Sequence, residues 1–422
     1  MASNVKRKYT FNQLQNWLDR YGSPLFVFDV KEFKDNYFHL LDSFRAIYPK
    51  YNIAQSYKTN YTPKICSLVK EYGGLAEVVS DMEYKIAKNV GYSDKDIIYN
   101  GPIKGPMMEK FLLDGCVVNI DNLKELGRII NLAKEHFDKE LRVGIRVNLD
   151  IGQGFVSRFG VDPDNGDLEE VLSQIEQYKN IHLVGLHMHI GHSRGVQYWA
   201  ERAKQMIELA DKYLDFIPEF IDIGSGMFGV MDPFLAEQFG GSIPTYDHYA
   251  QAVATVFRQR YGHLPLDKQP WLYTEPGTTI VSAYMYLLSK VYGIKKIRGK
   301  NFACIDSCIF NVSDMCRIKK LPIEIYSNGN KKRENFESID LVGYTCLEYD
   351  VPFSEYSGEI GEGDIVLFKN VGGYSLVSKP AFISEQCAGI MINEDQSIEL
   401  FKRKEKVEDV MLTYVTKGDH NE

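Results

Sequence analysis

Eight short apolar stretches recur between residues 51 and 282, each followed by a polar or glycine break and, up to the last, by a helix-like segment. The stretches are rich in β-branched, aliphatic and aromatic residues and lie at 51–58, 75–80, 97–102, 116–121, 141–149, 182–191, 220–226 and 272–278. Strands that alternate with helices pair in parallel, and eight such units make a (β/α)8 barrel. The sequence therefore predicts an α/β fold of the TIM-barrel type.

The intervening helices are predicted at 61–71, 81–90, 105–113, 122–136, 167–178, 195–214 and 246–261. Ser80 stands directly before one of these segments, and Asp121 and Asn122 stand where another should begin. Such residues cap helix N-termini. Before the barrel, SPLFVFDV (23–30) is typical of an edge strand because of its proline, and an amphipathic segment (31–46) follows it.

The pattern changes after about residue 283, where the apolar runs become shorter and more alternating. Glycine, asparagine and aspartate turns separate them, as in GEIGEGD, and this combination predicts an antiparallel sheet. A chain of 422 residues also exceeds what one core usually holds. We therefore predict two domains, a barrel at 30–282 and a mostly antiparallel β domain built from 1–29 and 283–422.

Composition narrows the functional classes. The net charge of -8 argues against a nucleic-acid partner, and no apolar run approaches the roughly 20 residues that cross a bilayer. The N-terminus has charges but no apolar segment typical of a secretory signal. Seven scattered cysteines complete no zinc pattern. These features predict a cytoplasmic protein with free thiols, no nucleic-acid partner, no membrane partner and no structural metal.

Catalysis in such a barrel takes place at the carboxyl ends of the strands. Lys58 ends the first predicted strand, His187 and His189 lie near the end of another, and the last predicted strand carries Glu275. The turn Gly224–Gly226 comes between them. An amine, an imidazole, a glycine-rich turn and a carboxylate are thus predicted to point toward one mouth.

Each of these features has a simpler interpretation. Lys58 is either a surface charge or a Schiff-base lysine, held in a dry pocket so that it loses its proton and attacks an aldehyde. The turn Gly224–Gly226 is either a tight connection or a nest of N–H groups for phosphate. His187 and His189 resemble a pair of zinc ligands, but no third ligand stands at a useful spacing, so no metal is predicted.

In this order the segments resemble the fold type III pyridoxal-phosphate decarboxylases, the group of ornithine/arginine-type and diaminopimelate decarboxylases. The matching segments are SYKTN, GGLAEVVSDMEY, IIYNGP, IRVN, SRFGVD, GLHMHIGHS, IDIGSG, EPG, GYTC with its later Asp, and GDIVLF with GGYS. They run from about Ser23 to Phe382. The resemblance implies an alanine racemase-like fold, pyridoxal 5'-phosphate as cofactor, and a homodimer with shared active sites.

The resemblance also implies roles for single residues. The cofactor-binding set would be Lys58, His189, Ser193, Gly224, Ser225, Gly226, Glu275, Gly277 and Tyr374. Lys58 would carry the cofactor covalently, His189 would stack on its pyridine ring, and Glu275 would pair with the ring nitrogen. The glycine turn and Tyr374 would hold its phosphate. The catalytic set would be Lys58, His189, Glu275 and Cys346.

Cys346 and Asp350 match an element that reaches into the partner's active site in relatives, where the thiol returns a proton to the product carbon. A buried apolar role is the simpler interpretation of Cys346. Glu83 either lines the cofactor pocket, as its counterpart does in the family, or forms a capping box with Ser80. Asp350, Leu347 and Thr278 are the predicted substrate residues.

Two departures from the family concern the substrate. Thr278 stands where relatives carry an arginine, and Leu347 follows Cys346 where relatives that bind a distal amine carry an acid. A buried ammonium needs a counter-charge, so Leu347 disfavours ornithine, lysine or diaminopimelate. We therefore predict a biosynthetic enzyme that decarboxylates an amino acid or amino-acid conjugate, releasing CO2 and an amine, and that differs in substrate from diaminopimelate decarboxylase.

Two alternatives stay open from the sequence. One is a racemase on the same fold, which Glu275 disfavours because such racemases place an arginine-type partner beside the ring nitrogen. A carboxylate there keeps the nitrogen protonated and the ring a strong electron sink. The other is a pseudoenzyme that binds pyridoxal phosphate and acts as a binding partner, which the retained Lys58 and Cys346 disfavour.

Overall fold

A computed structural model describes residues 8–329, 333–378 and 380–415 of the chain. The chain divides into two compact units by its internal contacts. The sheet unit comprises residues 1–34, 231–242 and 281–422, and the barrel unit comprises residues 35–230 and 243–280.

The described chain begins with helix α1 (Phe11–Tyr21), strand β1 (Leu25–Asp29) and helix α2 (Val30–Arg45). The eight strands that follow are β2 (Tyr51–Ser56), β3 (Leu75–Val78), β4 (Ile97–Tyr99), β5 (Val117–Ile120), β6 (Leu141–Arg146), β7 (Ile181–His187), β8 (Phe220–Asp222) and β9 (Trp271–Thr274). The helices between and after them are α3 (Pro63–Glu71), α4 (Asp81–Val90), α5 (Met108–Leu113), α6 (Leu123–Glu135), α7 (Asp167–Glu176), α8 (Val196–Tyr213), α9 (Pro233–Glu237), α10 (Tyr246–Tyr261) and α11 (Thr278–Val281).

Strands β2 to β9 form a closed parallel barrel in chain order. Strand β9 closes it against β2, with Tyr51 opposite Leu272. The prediction of a (β/α)8 barrel is confirmed. The strands are shorter than predicted, because β2, β7, β8 and β9 end two to four residues before the predicted ends. The functional candidates at those ends therefore lie in the loops that follow the strands.

Local capping explains where several helices begin. The Ser80 side chain accepts a hydrogen bond from the N–H of Glu83 at the start of α4, and Asn122 caps α6 in the same way. Both predicted caps are confirmed. Helix α1 was missed by the prediction, although Thr10 and Gln13 form a capping box at its start. Its apolar side is buried in the sheet unit.

The sheet unit contains a nine-stranded sheet. Besides β1, its strands are β10 (Met285–Ile297), β11 (Lys300–Ile305), β12 (Ile323–Tyr326), β13 (Glu334–Val342), β14 (Phe353–Ile360), β15 (Ile365–Phe368), β16 (Ala388–Ile392) and β17 (Ile398–Lys402). The order is β14–β13–β11–β10–β1–β16–β17, with β15 pairing β10 and β12. Two short helices, α12 (Ile309–Val312) and α13 (Val407–Met411), belong to the same region.

Most pairs in this sheet are antiparallel, and the parallel exceptions are β1 with β16 and β11 with β13. Its core includes Leu25 and Val27 of β1, Leu288 of β10 and Ile390 of β16, which are all buried. The prediction of a second, mostly antiparallel domain is confirmed. Within the described ranges, no helix has both the length and the apolar character that crossing a membrane requires.

Candidate active site

Lys58 lies in the turn that follows β2, at the carboxyl end of the strand. Its Nζ donates to Ser56 Oγ and to Glu77 Oε2, each at 2.7 Å. The side chain is 32% exposed, whereas that of Glu77 is buried. A paired, partly exposed ammonium keeps its charge more readily than one in an apolar pocket. Glu77 is thus the ionic partner of Lys58, and the loss of the Lys58 proton in a dry pocket stays a prediction.

Asn100, directly after β4, connects Glu77 to Glu275. Its Nδ2 donates to Glu77 Oε1 at 3.1 Å and to Glu275 Oε1 at 2.5 Å. Its Oδ1 accepts a hydrogen bond from Asn119 Nδ2 at 2.7 Å, which fixes the orientation of the amide. All four side chains are buried. These hydrogen bonds connect Lys58, in the turn after β2, to the carboxylate of Glu275, which follows β9.

Glu275 is a buried carboxylate between two imidazoles. His187 Nε2 lies 3.0 Å from Oε1, and His189 Nδ1 lies 3.1 Å from Oε2. Burial raises the pKa of Glu275, but His187, His189 and the charge of Lys58 outweigh it and hold this pKa well below its ordinary value. Glu275 is therefore an anion, as the sequence analysis expected for the partner of a ring nitrogen. Burial lowers the pKa of His189, although Glu275 opposes the change.

Asp222, the last residue of β8, stands beside this carboxylate. Burial, and after it the nearby Glu275, raise the pKa of Asp222 well above its ordinary value, which favours its protonated form. Its Oδ1 accepts a hydrogen bond from the N–H of Gly224 at 2.8 Å. Ligand atoms of His187, Asp222 and Glu275 lie within 4.8 Å of one another. The sequence analysis found no third residue of a metal-ligand type at a useful spacing from His187 and His189. The fold brings two such residues, Asp222 and Glu275, close to His187.

The turn Gly224–Gly226 after β8 requires glycine at both ends. Gly224 and Gly226 have φ angles of 65° and 98°, which side chains disfavour. A Cβ on Gly224 would lie 2.5 Å from the carbonyl oxygen of Met188, and one on Gly226 would lie 2.6 Å from that of Ile190. The N–H of Ser225 donates to His189 Nδ1 at 3.3 Å. The glycine turn and the loop after β7 therefore pack backbone against backbone.

Three further predicted residues belong to the barrel unit. Ser193 is half-buried with a φ angle of 59°. A Cβ on Gly277 would lie 2.1 Å from Thr59 Oγ1, so the chain after Glu275 approaches the loop of Lys58 closely. Thr278 is half-buried at the start of α11. The cofactor and substrate roles of these residues stay predictions.

Glu83 shows features of both of its proposed roles. Its N–H donates to Ser80 Oγ, while its Oε2 accepts from the N–H of Val79 at 2.8 Å, one residue before the cap. Burial raises the pKa of Glu83 to about 7, and the charge of Lys58 opposes this. The carboxyl group thus supports the start of α4 and is electrostatically coupled to Lys58.

The remaining predicted residues belong to the sheet unit. Cys346 is exposed, which disfavours its interpretation as a buried apolar residue. Asp350 is buried, and its carboxylate accepts hydrogen bonds from Ile309 N and from the N–H and hydroxyl of Thr345. These bonds fix the turn that carries Cys346. Leu347 is half-buried in this turn, and contact of Asp350 or Leu347 with a substrate stays a prediction.

Tyr374 also lies in the sheet unit, with a φ angle of 55° and a side chain that is partly exposed. Its predicted contact with a phosphate stays a prediction. The same holds for the other roles in the predicted site set, although the fold joins Lys58, His189, Ser225 and Glu275 by direct contacts or through Glu77 and Asn100.

Sequence reasoning missed Asn100, Asp222 and Arg202 as members of this region. Asn100 and Asp222 follow or end apolar strands, and a polar residue in such a place is the signal that could have found them. Arg202 lies inside α8 and is fully buried. Arg202 is the one arginine of α8, and the polar and apolar pattern of the helix does not reveal that its side chain points inward.

The site fits pyridoxal phosphate by the chemistry of its groups. An amine at the mouth suits an aldehyde, an anionic and buried carboxylate suits a pyridine nitrogen, and a glycine turn lets backbone N–H groups approach a phosphate. The N–H of Gly226 has no hydrogen-bond acceptor among the residues that the structure describes. Lys58, Glu275, His189 and Gly224–Gly226 are therefore the groups that could hold this cofactor.

Comparison with known proteins agrees with this fit. A family model described as the pyridoxal binding domain of pyridoxal-dependent decarboxylases matches residues 37–282. Diaminopimelate decarboxylase of Methanothermobacter thermautotrophicus is 26% identical, over 93% of this chain and 92% of that protein.

Two solved structures show the same fold. One is diaminopimelate decarboxylase of M. jannaschii, with a TM-score of 0.82 and 22% identity over 96% of this chain and 94% of that one. The other is lysine decarboxylase of Selenomonas ruminantium, with a TM-score of 0.75 and 22% identity over 93% and 97% of the two chains.

Proposed function

We propose that this chain acts on an amino acid whose far end carries no free ammonium group. The chain belongs to the pyridoxal-dependent decarboxylase family and is a carboxy-lyase that uses pyridoxal phosphate. The reaction releases CO2 from the α-carbon and leaves an amine. A conjugated amino acid, in which the distal amine is masked, is the substrate class that we infer.

The anionic state of Glu275 is the observation that carries the reaction type. The bound cofactor supplies a pyridine ring that accepts the electron pair left when the carboxylate departs as CO2. A negative partner keeps the ring nitrogen protonated, and Glu275 is held as an anion by the two imidazoles beside it. This arrangement favours decarboxylation over racemisation, and the relatives reported above are named as decarboxylases.

Lys58 is proposed to carry the cofactor, with Glu77 and Ser56 controlling its proton. An amine must be neutral to attack an aldehyde, and the Lys58 ammonium is hydrogen-bonded to Ser56 Oγ and Glu77 Oε2. The Ser56 hydroxyl itself donates to Glu77 Oε2 at 2.6 Å. The proton of Lys58 thus has an acceptor one hydrogen bond away, within a network that ends at Glu275.

Leu347 is the residue from which we infer the substrate class. It follows Cys346 at the place where an acidic side chain would match a distal ammonium, and it offers no charge. Glu348, the next residue, is exposed. An ammonium group placed against Leu347 would lose its hydration without gaining a counter-charge, which costs several kcal/mol. An acylated or otherwise masked amine avoids this cost.

Cys346 is proposed to act in the active site of a partner subunit. In this chain its thiol is exposed, and Asp350 holds the surrounding turn through Thr345 and Ile309. A twofold dimer would place this turn at the partner's barrel mouth and the partner's turn at its own. The thiol would there return a proton to the product carbon.

The substrate proposal is tested by measuring CO2 release from matched pairs. Lysine, ornithine and meso-diaminopimelate are compared with lysine and ornithine acylated at the distal amine. We expect the acylated compounds to have a kcat/KM at least about tenfold higher. Leu347→Glu should reverse this preference, and Glu348→Gln is the matched control at the neighbouring exposed position. Robust turnover of meso-diaminopimelate by the unaltered protein would overturn the proposal.

The cofactor and the dimer need separate tests. Lys58→Ala should abolish the absorbance band of the bound cofactor and CO2 release together. Mixing and reassembling inactive Lys58→Ala and Cys346→Ala proteins should restore about a quarter of the activity, because half of the dimers are then mixed and each has one intact site. No recovery, in a mixture shown to exchange subunits, would refute shared sites.

A further inference from the structure

Arg202 is a buried cation without an acidic partner in the part of the chain that the structure describes. It lies on α8, is fully buried, and packs over the ring of Trp199 with its Cζ 5.0 Å from the ring centroid. Burial lowers the pKa of Arg202 to about 10. Even there the guanidinium keeps its charge at neutral pH, so the interior of the barrel unit holds an uncompensated positive charge.

The guanidinium binds three carbonyl oxygens from two different loops. Its Nη1 donates to the carbonyl of Ser225 at 2.8 Å, and its Nη2 donates to those of His192 at 2.9 Å and Ser193 at 3.2 Å. Ser225 belongs to the glycine turn after β8, whereas His192 and Ser193 belong to the loop after β7. Arg202 therefore ties together the two loops that the proposed function assigns to the phosphate.

Capture of a carbonyl also sets the direction of the neighbouring N–H. In a planar trans peptide, the N–H points opposite to the C=O of the same unit. Binding of the Ser225 and His192 carbonyls by Arg202 therefore turns the N–H groups of Gly226 and Ser193 away from α8. Neither N–H has an acceptor among the described residues, so both are available to an anion.

Tyr249 on α10 ties the same two loops without a charge. Its hydroxyl donates to the carbonyl of Arg194 at 2.5 Å and accepts from the N–H of Phe228 at 3.3 Å. Comparing Tyr249 with Arg202 separates the effect of connecting the loops from the effect of a positive charge, because Tyr249 supplies only the connection. Arg202 supplies the connection and a positive charge in a buried place, where charge acts strongly.

We propose that Arg202 is the positioning residue of the phosphate site, which orients the N–H groups of Gly226 and Ser193 and supplies the positive charge that a bound phosphate dianion needs. It acts through the backbone and does not touch the ligand. The inference rests on the proposed function, in that the phosphate of the cofactor is the anion.

The test compares ligands with and without the phosphate. Cofactor-free protein, prepared by dialysis with hydroxylamine, is titrated with pyridoxal phosphate and with pyridoxal, and binding is followed by absorbance. In Arg202→Gln we expect the Kd for pyridoxal phosphate to rise about 10- to 100-fold, as for other residues that act behind the direct ligands. The Kd for pyridoxal should stay within about threefold, because pyridoxal has no phosphate to position.

Two variants and a third ligand complete the design. Arg202→Lys should lose part of the affinity for pyridoxal phosphate, because one ammonium cannot hold carbonyls of both loops. This variant replaces Arg202→Gln in the titrations if Arg202→Gln does not fold. Tyr249→Phe should weaken both ligands alike. Inorganic phosphate should raise the melting temperature of the cofactor-free wild type and not that of Arg202→Gln.

The possible outcomes separate the role of Arg202 from the proposed decarboxylase function. If both Arg202 variants lose affinity equally for pyridoxal phosphate and pyridoxal, Arg202 only stabilises the two loops and the inference is overturned. The decarboxylase function would still stand. Unchanged binding of both ligands would overturn it as well. Failure of the wild type to bind pyridoxal phosphate would instead remove the proposed function itself.

Discussion

Asn100 stands between two buried carboxylates, and Asn100→Asp tests how negative charge is held at this site. The amide donates to Glu77 Oε1 at 3.1 Å and to Glu275 Oε1 at 2.5 Å. A carboxyl group of nearly the same shape would replace this donor by an acceptor. If ionised, it would stand within hydrogen-bonding distance of two like charges in a buried place.

The magnitudes decide the protonation state of the variant. At 3.1 Å and an effective dielectric constant of 20, two like charges repel by about 5 kcal/mol, and two such neighbours by about 10 kcal/mol. Keeping an aspartic acid of ordinary pKa protonated costs about 1.4 kcal/mol per pH unit above about 4, or about 4 kcal/mol at pH 7. Proton uptake is the smaller cost, so the folded variant should bind one extra proton.

The sign of the pH dependence follows from this uptake. A carboxyl group whose pKa is raised by folding contributes stability at low pH, and this contribution is lost as pH rises toward the folded pKa. The free energy of unfolding of Asn100→Asp, relative to wild type, should therefore fall by about 1.4 kcal/mol per pH unit between about pH 5 and pH 7. The difference at pH 7 should reach about 4 kcal/mol.

Urea unfolding of the cofactor-free protein measures this difference, with tryptophan fluorescence as the signal. Trp199 and Trp271, two of the three tryptophans, lie in the barrel unit and report its unfolding. Asn100→Ala is the control, since it removes the donor without adding a titrating group and should lose stability without this added slope. A difference between Asn100→Asp and wild type that stays constant with pH would refute the reasoning.

Three further predictions concern the same unit. Burial raises the pKa of Glu83 to about 7, so this group loses its contribution to stability as pH rises from about 4 to 7. In urea unfolding, the free energy of unfolding of Glu83→Gln should therefore rise by about 3 kcal/mol relative to wild type between pH 4 and pH 8. Equal pH profiles of the two proteins would contradict this prediction. Gly226→Ala should cost about 1–3 kcal/mol of unfolding free energy, because of its φ angle of 98° and the close carbonyl of Ile190. Gly127→Ala, on α6 of the same unit, where the added Cβ meets no atom within 4 Å, should not lower this free energy. Glu275→Gln should lower kcat for CO2 release about 10²- to 10³-fold with the cofactor still bound; an unchanged kcat would argue against the role of its charge.

Helix α1 and the strand ends illustrate how far sequence patterns reach. The capping box of Thr10 and Gln13 and the buried Leu14 and Leu18 were present in the sequence as a helix signal, and a fuller use of capping rules would have found α1. The ends of β2, β7, β8 and β9 were predicted too far along the chain. Apolar and glycine residues continue past the last ladder bond there, and only the barrel's own pairing decides where a strand stops.

The alternation of eight apolar runs with helices determined the barrel, because parallel strands need a crossover between them and a closed barrel leaves no edge. It also determined that Lys58, His189, Gly224–Gly226 and Glu275 would gather at one mouth, since carboxyl ends of parallel strands share one side. These conclusions depend on period and order along the chain, which the sequence contains.

Tertiary structure alone decided the charge and proton state of the site. Asn100 and Glu275 are 175 residues apart and meet only because β4 and β9 belong to one closed barrel. The pKa of Asp222 is raised because the fold buries the carboxyl group and places Glu275 beside it. Arg202 binds two loops because α8 places its one arginine inward. Such contacts depend on distance and burial, and no local pattern of residues encodes either.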